Sequence, residues 1–126
     1  MMIGYATVGV NDLDTAIQFY DRLFALFGVK RIHAFDRGHF FGVDHFEFAV
    51  VKPFDGNPAS HGNGAMTALE ALSRAVVDQA YALALSLGGT DEGAPGIRGR
   101  EDSGFYGAYF RDPDGNKLCV FKMGPA

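Results

Sequence analysis

The pattern of apolar residues in the first half of the chain returns in the second half, shifted by 60 residues. In each half, a short stretch in which apolar and polar residues alternate precedes a longer stretch whose apolar residues have helical spacing. A glycine follows the helical stretch. With this shift Leu23 falls on Leu83, and Gly28 falls on Gly88. An internal repeat of this kind predicts two copies of one supersecondary unit.

The spacing of apolar residues predicts the same order of elements, β-α-β-β-β, in both halves. Asn11 or Asp12 is the expected N-cap of the first helix, and Ser73 that of the second. A glycine-rich loop over residues 92–107 is expected to interrupt the strands of the second half and to cover a site. The predicted strands are 5–10, 30–35, 40–43, 46–52, 65–72, 90–92, 105–110 and 117–122.

The two units divide a single domain into module one (1–52), a linker (53–64) and module two (65–126). The expected fold class is α+β. A four-stranded sheet covered by one helix leaves its other face open, so two tandem modules can form a cupped, partly closed, barrel-like sheet around a cavity. A cavity lined by alternate strand residues is a natural site for a small molecule.

Charge and cysteine content restrict the partners of the chain. The net charge is −4 and acidic and basic residues are interspersed, which argues against nucleic acid or an anionic membrane as the main partner. One cysteine cannot form an internal disulfide, and no apolar run approaches membrane-spanning length. We therefore expect a cytoplasmic protein.

Two segments carry a family resemblance. The stretch YATVGVNDLDTAIQFYDRLFALFG (5–28) and the stretch YFRDPDGNKLCVF (109–121) resemble the glyoxalase, bleomycin-resistance and extradiol-dioxygenase superfamily, also called vicinal oxygen chelate proteins. The resemblance covers nearly the whole chain. It implies paired βαβββ modules, usually assembled as homodimers, with module pairing either within or between chains.

The resemblance also implies where a divalent metal would bind in relatives. Their ligands are His or Gln at the start of each module and Glu at its last strand. These positions fall on Tyr5, near Val50, on Ala65 or Met66, and on Cys119. Such side chains do not make a divalent-metal site. We expect no metal ligands and no cofactor, with a divalent metal held by non-standard ligands as the alternative.

The expected function is binding of a small anionic or aromatic organic molecule in the cavity. The alternative is a metal-dependent lyase, isomerase or dioxygenase of the glyoxalase I type. The sequence leaves open whether the protein is an enzyme; Glu70, as a base, and Cys119 are the candidate catalytic residues. For Cys119 the favoured interpretation is a small cavity-wall or core residue, and a reactive thiol is the alternative.

The expected substrate-binding residues lie on strand faces directed at the cavity or in the 92–107 loop. In that loop, Arg98 and Arg100 suit a carboxylate or phosphate, although two solvated arginines are the competing interpretation. The full set is Tyr5, Thr7, Lys52, Met66, Arg98, Arg100, Tyr106, Tyr109, Lys117 and Cys119.

We predict a twofold homodimer with cavity walls close to the interface. A module of about 60 residues buries too little apolar surface to be stable by itself, and relatives pair their modules within or between chains. Light scattering across micromolar concentrations measures the assembly, and a monomer mass throughout would contradict the prediction.

Overall fold

The computed structural model describes residues 2–125, which form two α-helices and eight strands. A short 3₁₀ turn, Glu101–Ser103, precedes the seventh strand. No helix in this range is long and apolar enough to cross a membrane. In chain order the elements are β1 (Ala6–Gly9), α1 (Leu13–Ala25), β2 (Lys30–Phe35), β3 (Gly38–Gly42), β4 (Phe46–Val51), β5 (Thr67–Glu70), α2 (Arg74–Ser86), β6 (Thr90–Ile97), β7 (Phe105–Arg111) and β8 (Lys117–Met123).

The strands form two four-stranded sheets with corresponding orders, β1-β4-β3-β2 and β5-β8-β7-β6. β1 runs parallel to β4 and β5 runs parallel to β8, and the other neighbouring strands are antiparallel. This confirms the predicted α+β class. Between residues 2 and 125 no strand of one sheet pairs with a strand of the other, so the sheets do not close into a barrel.

Side-chain caps begin both helices. The Asp12 carboxylate accepts hydrogen bonds from the Thr15 backbone N–H (3.2 Å) and the Thr15 hydroxyl (2.8 Å), and Ser73 caps α2 in the same manner. Of the two caps predicted for α1, the structure selects Asp12. The N-caps and bounds of the two helices differ by 61 residues, which aligns Tyr20 with Tyr81, whereas Gly28 and Gly88 after the helices keep the predicted difference of 60 and both have positive φ.

The sixth strand is longer than the sequence indicates. We predicted residues 90–92 followed by a long loop; instead β6 continues to Ile97, which pairs with Tyr106 of β7. The register shifts twice, around Gly93, whose φ is 152°. These irregularities remove the two-residue alternation that marks a strand. The loop prediction is therefore wrong for residues 92–97.

A single apolar core joins the two modules. It contains the buried faces of both helices and the strand residues directed towards them. Leu118 and Val120 of β8 belong to this core, whereas Cys119 between them points to the other face of the sheet. The largest fully buried side chains are those of Tyr20, Phe19, Phe41 and Phe110.

One buried carboxylate, Asp112, organises the turn between β7 and β8. Its side chain is 2 % exposed. It accepts hydrogen bonds from the Tyr20 hydroxyl (2.6 Å), the Asp114 backbone N–H (2.9 Å), and both the backbone and side-chain N–H groups of Asn116 (2.9 Å each). These bonds compensate the cost of burying the carboxylate, and they attach the turn to α1 of the other module.

The same turn also contacts the junction between β1 and α1. The Asn116 side chain donates to the Gly9 carbonyl (2.9 Å), and the Asn11 backbone N–H donates to the Asp114 carboxylate (2.9 Å). The DPDGN segment, which the sequence indicates only as a hairpin turn, is therefore a contact between the modules.

We predict that Tyr20→Phe lowers the free energy of unfolding by about 2 kcal/mol, since a buried hydrogen bond to a carboxylate is lost. Denaturant unfolding followed by circular dichroism measures the change. Tyr81→Phe is the matched control, because Tyr81 holds the corresponding position and donates to Asp91 (2.9 Å) in an exposed bond. Its effect should be much smaller, and equal losses in the two variants would contradict the role given to Asp112.

The Tyr20→Phe variant should also differ from the wild type in how its stability depends on pH. Burial, with a smaller contribution from the charge of Asp112, raises the pKa of the Tyr20 hydroxyl well above its ordinary value of 10.0. A group whose pKa is raised by folding stabilises the protein below its unfolded pKa, and this contribution is lost as the pH rises through the folded pKa. Above pH 10.0 the wild type should therefore lose stability more steeply than Tyr20→Phe. If the free energy of unfolding fell with the same slope above pH 10.0 in the wild type and in Tyr20→Phe, the raised pKa of Tyr20 would be contradicted.

Candidate ligand-binding site on the second sheet

The face of the second sheet that points away from α2 carries the chain's cysteine. Cys119 lies opposite Tyr109 of β7 and Ala68 of β5 in the strand register. Side chains at paired positions share a face and lie close together, so Tyr109 stands beside Cys119. We call this surface the second open face.

Two cations lie over the ring of Tyr109. The guanidinium carbon of Arg98 is 5.3 Å from the ring centroid, and Nζ of Lys117 is 5.6 Å from it. Both distances are within the range of cation–π contacts. The Arg98 guanidinium also donates to the Ala94 carbonyl, which holds it against β6. Both cations were predicted site residues, and the structure brings them together around Tyr109.

A second arginine on this sheet is neutralised by an acid. Nε of Arg111 donates to the Glu92 carboxylate at 2.8 Å, and the hydrogen bond and charge of Arg111 lower the pKa of Glu92. By contrast, no carboxylate among residues 2–125 lies within 4.0 Å of the charged nitrogens of Arg98 or Lys117. The part of the second open face around Tyr109 therefore carries unbalanced positive charge.

Sequence reasoning missed the pair formed by Arg111 and Glu92. Arg111 belongs to the family-like segment around the turn, and Glu92 ends the predicted strand 90–92. The pairing of β6 with β7, which brings the two residues together, was not predicted.

The Cys119 thiol is almost completely covered, with 1 % of the residue exposed. Burial raises the pKa of this thiol and outweighs the opposing effects of the Tyr109 hydroxyl and of the Arg98 and Lys117 charges. Burial likewise raises the pKa of Tyr109. At neutral pH the thiol is therefore protonated and is not an activated nucleophile.

The corresponding face of the first sheet is aromatic. Phe40 and Phe46 stack with centroids 4.0 Å apart, and Tyr5 meets Phe40 edge-on at 5.0 Å. His33 stacks on Phe46 at 5.7 Å. Tyr5 was predicted here, whereas the phenylalanines were not singled out; the only signal was a content of twelve Phe without Trp. We call this surface the first open face.

A small cavity joins the edges of the two sheets. It has a volume of about 180 Å³ and is lined by Thr7 of β1, by Met66 before β5 and by Lys117 of β8. His61 of the linker and Asn116 of the turn also line it. Three predicted site residues from the two modules thus meet here within one chain.

Three other predicted site residues lie elsewhere. Tyr106 points to the helix side of the sheet, where its hydroxyl donates to Asp78 of α2 at 2.6 Å, so it does not form a wall with Tyr109. Arg100 has an 87 % exposed side chain and pairs with Asp102 at 3.3 Å, as the solvated interpretation expected. Lys52 lines a different cavity of about 500 Å³ near the start of α1.

Glu70 pairs with Phe121 in the strand register and therefore shares the face of Cys119, but it lies two residues beyond Ala68, away from the cations around Tyr109. It is exposed at the end of β5 and lines a cavity beside Phe24 and Phe27 of α1. The two candidate catalytic residues, Glu70 and Cys119, therefore do not share one cavity.

The family can now be assigned. The model of the "Glyoxalase/Bleomycin resistance protein/Dioxygenase superfamily" matches residues 2–120. The chain therefore belongs to this superfamily, which confirms the resemblance in the two sequence segments. No curated protein sequence matches the chain.

Solved structures agree with this assignment. A glyoxalase/bleomycin resistance protein from Albidiferax ferrireducens T118 is 36 % identical, with a TM-score of 0.88 and coverage of 98 % of this chain and 99 % of that one. A family enzyme from Burkholderia phytofirmans PsJN is 16 % identical, with a TM-score of 0.72 and coverage of 95 % and 97 %. The fosfomycin resistance protein FosX from Listeria monocytogenes is 17 % identical, with a TM-score of 0.69 and coverage of 97 % and 93 %. The last two show the fold alone.

The residues at the metal-ligand positions that the resemblance implies are of types that seldom bind divalent metals. Val50, near which the ligand ending module one was expected, belongs to the core, and Ala49 holds the position that corresponds to Cys119. The donors then reduce to Tyr5, Met66 and one protonated thiol, without a carboxylate or imidazole. Within residues 2–125 no three His, Cys, Asp or Glu side chains are grouped closely enough to hold a metal ion.

We predict that a bulky thiol reagent labels Cys119 slowly in the wild type and at least about tenfold faster in Tyr109→Ala, since the neighbouring ring is removed. Labelling is followed by absorbance beside the melting temperature. Tyr106→Phe, which keeps its ring on the helix side, is the control and should leave the rate unchanged. Labelling that tracks global unfolding in both Tyr109→Ala and the wild type would place the thiol in the helix-packed core.

Proposed function

We propose that the protein binds a small organic anion with an aromatic or planar apolar part on the second open face, without a metal ion. The observation that carries this proposal is the position of Arg98 and Lys117, both over Tyr109 and both without an ion-pair partner in the part of the chain that the structure describes. Two such cations favour an anionic ligand over a neutral or cationic one.

The chemistry of the three side chains narrows the ligand class. A guanidinium group presents parallel N–H donors that match a carboxylate or phosphonate, and the ammonium group of Lys117 adds a compact charge. Tyr109 offers a flat apolar surface beside these charges. An aryl carboxylate or aryl phosphonate meets all three requirements.

The first open face supports an aromatic ligand as well. We propose that the two open faces line one cupped, partly closed cavity, in which the stack of Phe40 and Phe46 supplies the apolar wall. The cavity shared by Thr7, Met66 and Lys117 supports this arrangement, because it lies where the two sheets meet. A homodimer that covers the open faces completes the proposal.

The side chains of the candidate site support ligand binding better than they support catalysis. The Cys119 thiol is protonated and covered, and Glu70 lies in another cavity. The donors at the family's ligand positions give no support to a metal-dependent lyase, isomerase or dioxygenase. A family member lacking those ligands retains a charged, aromatic pocket for a small molecule.

We predict saturable binding of phenylphosphonate and benzoate, with the neutral benzamide binding more weakly. Lys117→Met and Arg98→Met should each weaken phenylphosphonate binding by about three- to tenfold, because one charge-assisted contact is lost while the apolar stem remains. Isothermal titration calorimetry measures the affinities. Arg100→Met is the matched control, since Arg100 pairs with Asp102 away from the open face. Equal losses in the control and the two test variants would contradict the proposed site.

Whether ligand binding requires a metal ion is tested on the wild-type protein. Phenylphosphonate binding should be unchanged in EDTA, and metal analysis of protein purified without chelator should give well under one equivalent of zinc, nickel, iron or manganese. A stoichiometric metal, or binding that disappears in EDTA, would support the metal-dependent alternative instead.

A further inference from the structure

A mainly apolar cavity lies apart from the cations around Tyr109, between the end of α1 and the β1 and β5 edges. Its volume is about 510 Å³, within the range of about 300–1,000 Å³ typical of small-molecule sites. The lining is mainly apolar and includes the three aromatic rings of Phe24, Phe27 and Phe48 together with Leu69. We call it the inter-module cavity.

The cavity results from an asymmetry between the modules. In module two the five-residue turn 112–116 reaches across to Gly9 and Asn11. The corresponding connection in module one, residues 43–45, has three residues and makes no such bridge to the end of β5. Glu70 and Leu72, which correspond to Gly9 and Asn11, are left uncovered, with Leu72 91 % exposed.

The charged groups of this cavity are acidic. Glu47 and Glu70 line it, and no lysine, arginine or histidine does. Neither carboxylate forms an ion pair within residues 2–125. The Glu47 carboxylate accepts one hydrogen bond, from the Val43 backbone N–H at 3.1 Å. The cavity therefore combines aromatic walls with uncompensated negative charge.

We propose that the inter-module cavity binds a hydrophobic amine or ammonium compound. The apolar part packs against the phenylalanines and Leu69, and the cationic group lies between the carboxylates of Glu47 and Glu70. Aromatic faces attract a cation in addition to the carboxylates, so charge and apolar burial favour the same ligand class. This site is independent of the anion site on the second open face and carries the opposite charge.

The experiment is an NMR titration of ¹⁵N-labelled protein with 2-phenylethylamine, and with 2-phenylethanol as its neutral analogue. We expect saturable amide shifts at Phe27 and Leu69, and an affinity for the alcohol at least about threefold weaker than for the amine. Glu47→Gln and Glu70→Gln, singly and together, should reduce the preference for the amine. Glu101→Gln, which alters an exposed carboxylate in the 3₁₀ turn, should leave that preference unchanged.

Three results would overturn the proposal. The amine and the alcohol could bind equally, the amine shifts could fall on β7 and β8 rather than around the cavity, or shifts at Phe27 and Leu69 could follow protein concentration without probe. The last result would identify a second copy of the chain as the occupant. Phenylphosphonate binding in the Gln variants separates the two sites, since it should be unaffected if both proposals hold.

Discussion

The arrangement of the two modules depends on one buried carboxylate. Among residues 2–125 Asp112 has no cationic partner, and a buried charge of this kind is tolerated only when several hydrogen bonds replace its water. The turn that follows it supplies three donors, and Tyr20 of the other module supplies the fourth. The turn is thereby held against β1, and Lys117, the next residue of β8, is placed beside the junction of the two sheets.

The two modules share one order of elements and one sheet order but carry two different chemistries. The open face of the first sheet is aromatic, whereas the open face of the second carries cations around Tyr109. Side chains that point away from the helix are not constrained by core packing, so these positions diverge without cost to the fold. The length of the turns also differs between the modules. The turn of module one is shorter, so the inter-module cavity stays uncovered.

The candidate site was predictable where strands alternate regularly. Alternation along β8 separated Cys119 and Lys117 from the core residues Leu118 and Val120, and the structure has the same division. The prediction failed for Tyr106, because two residues of β7 were assigned to one wall although they lie on opposite faces. It also missed the pair of Glu92 and Arg111, because the pairing of β6 with β7 was not predicted.

The sequence alone determined the α+β class, the repeated order of elements, the Ser73 cap of α2 and the family, since periodicity, capping residues and family-specific segments are local properties of the chain. Only the tertiary structure decided which cations stand over Tyr109, that Asp112 joins the modules through Tyr20, and that a cavity remains beside Glu70. These features depend on distances between residues far apart in the chain. Such distances follow from register shifts and turn lengths acting together, and no single segment encodes them.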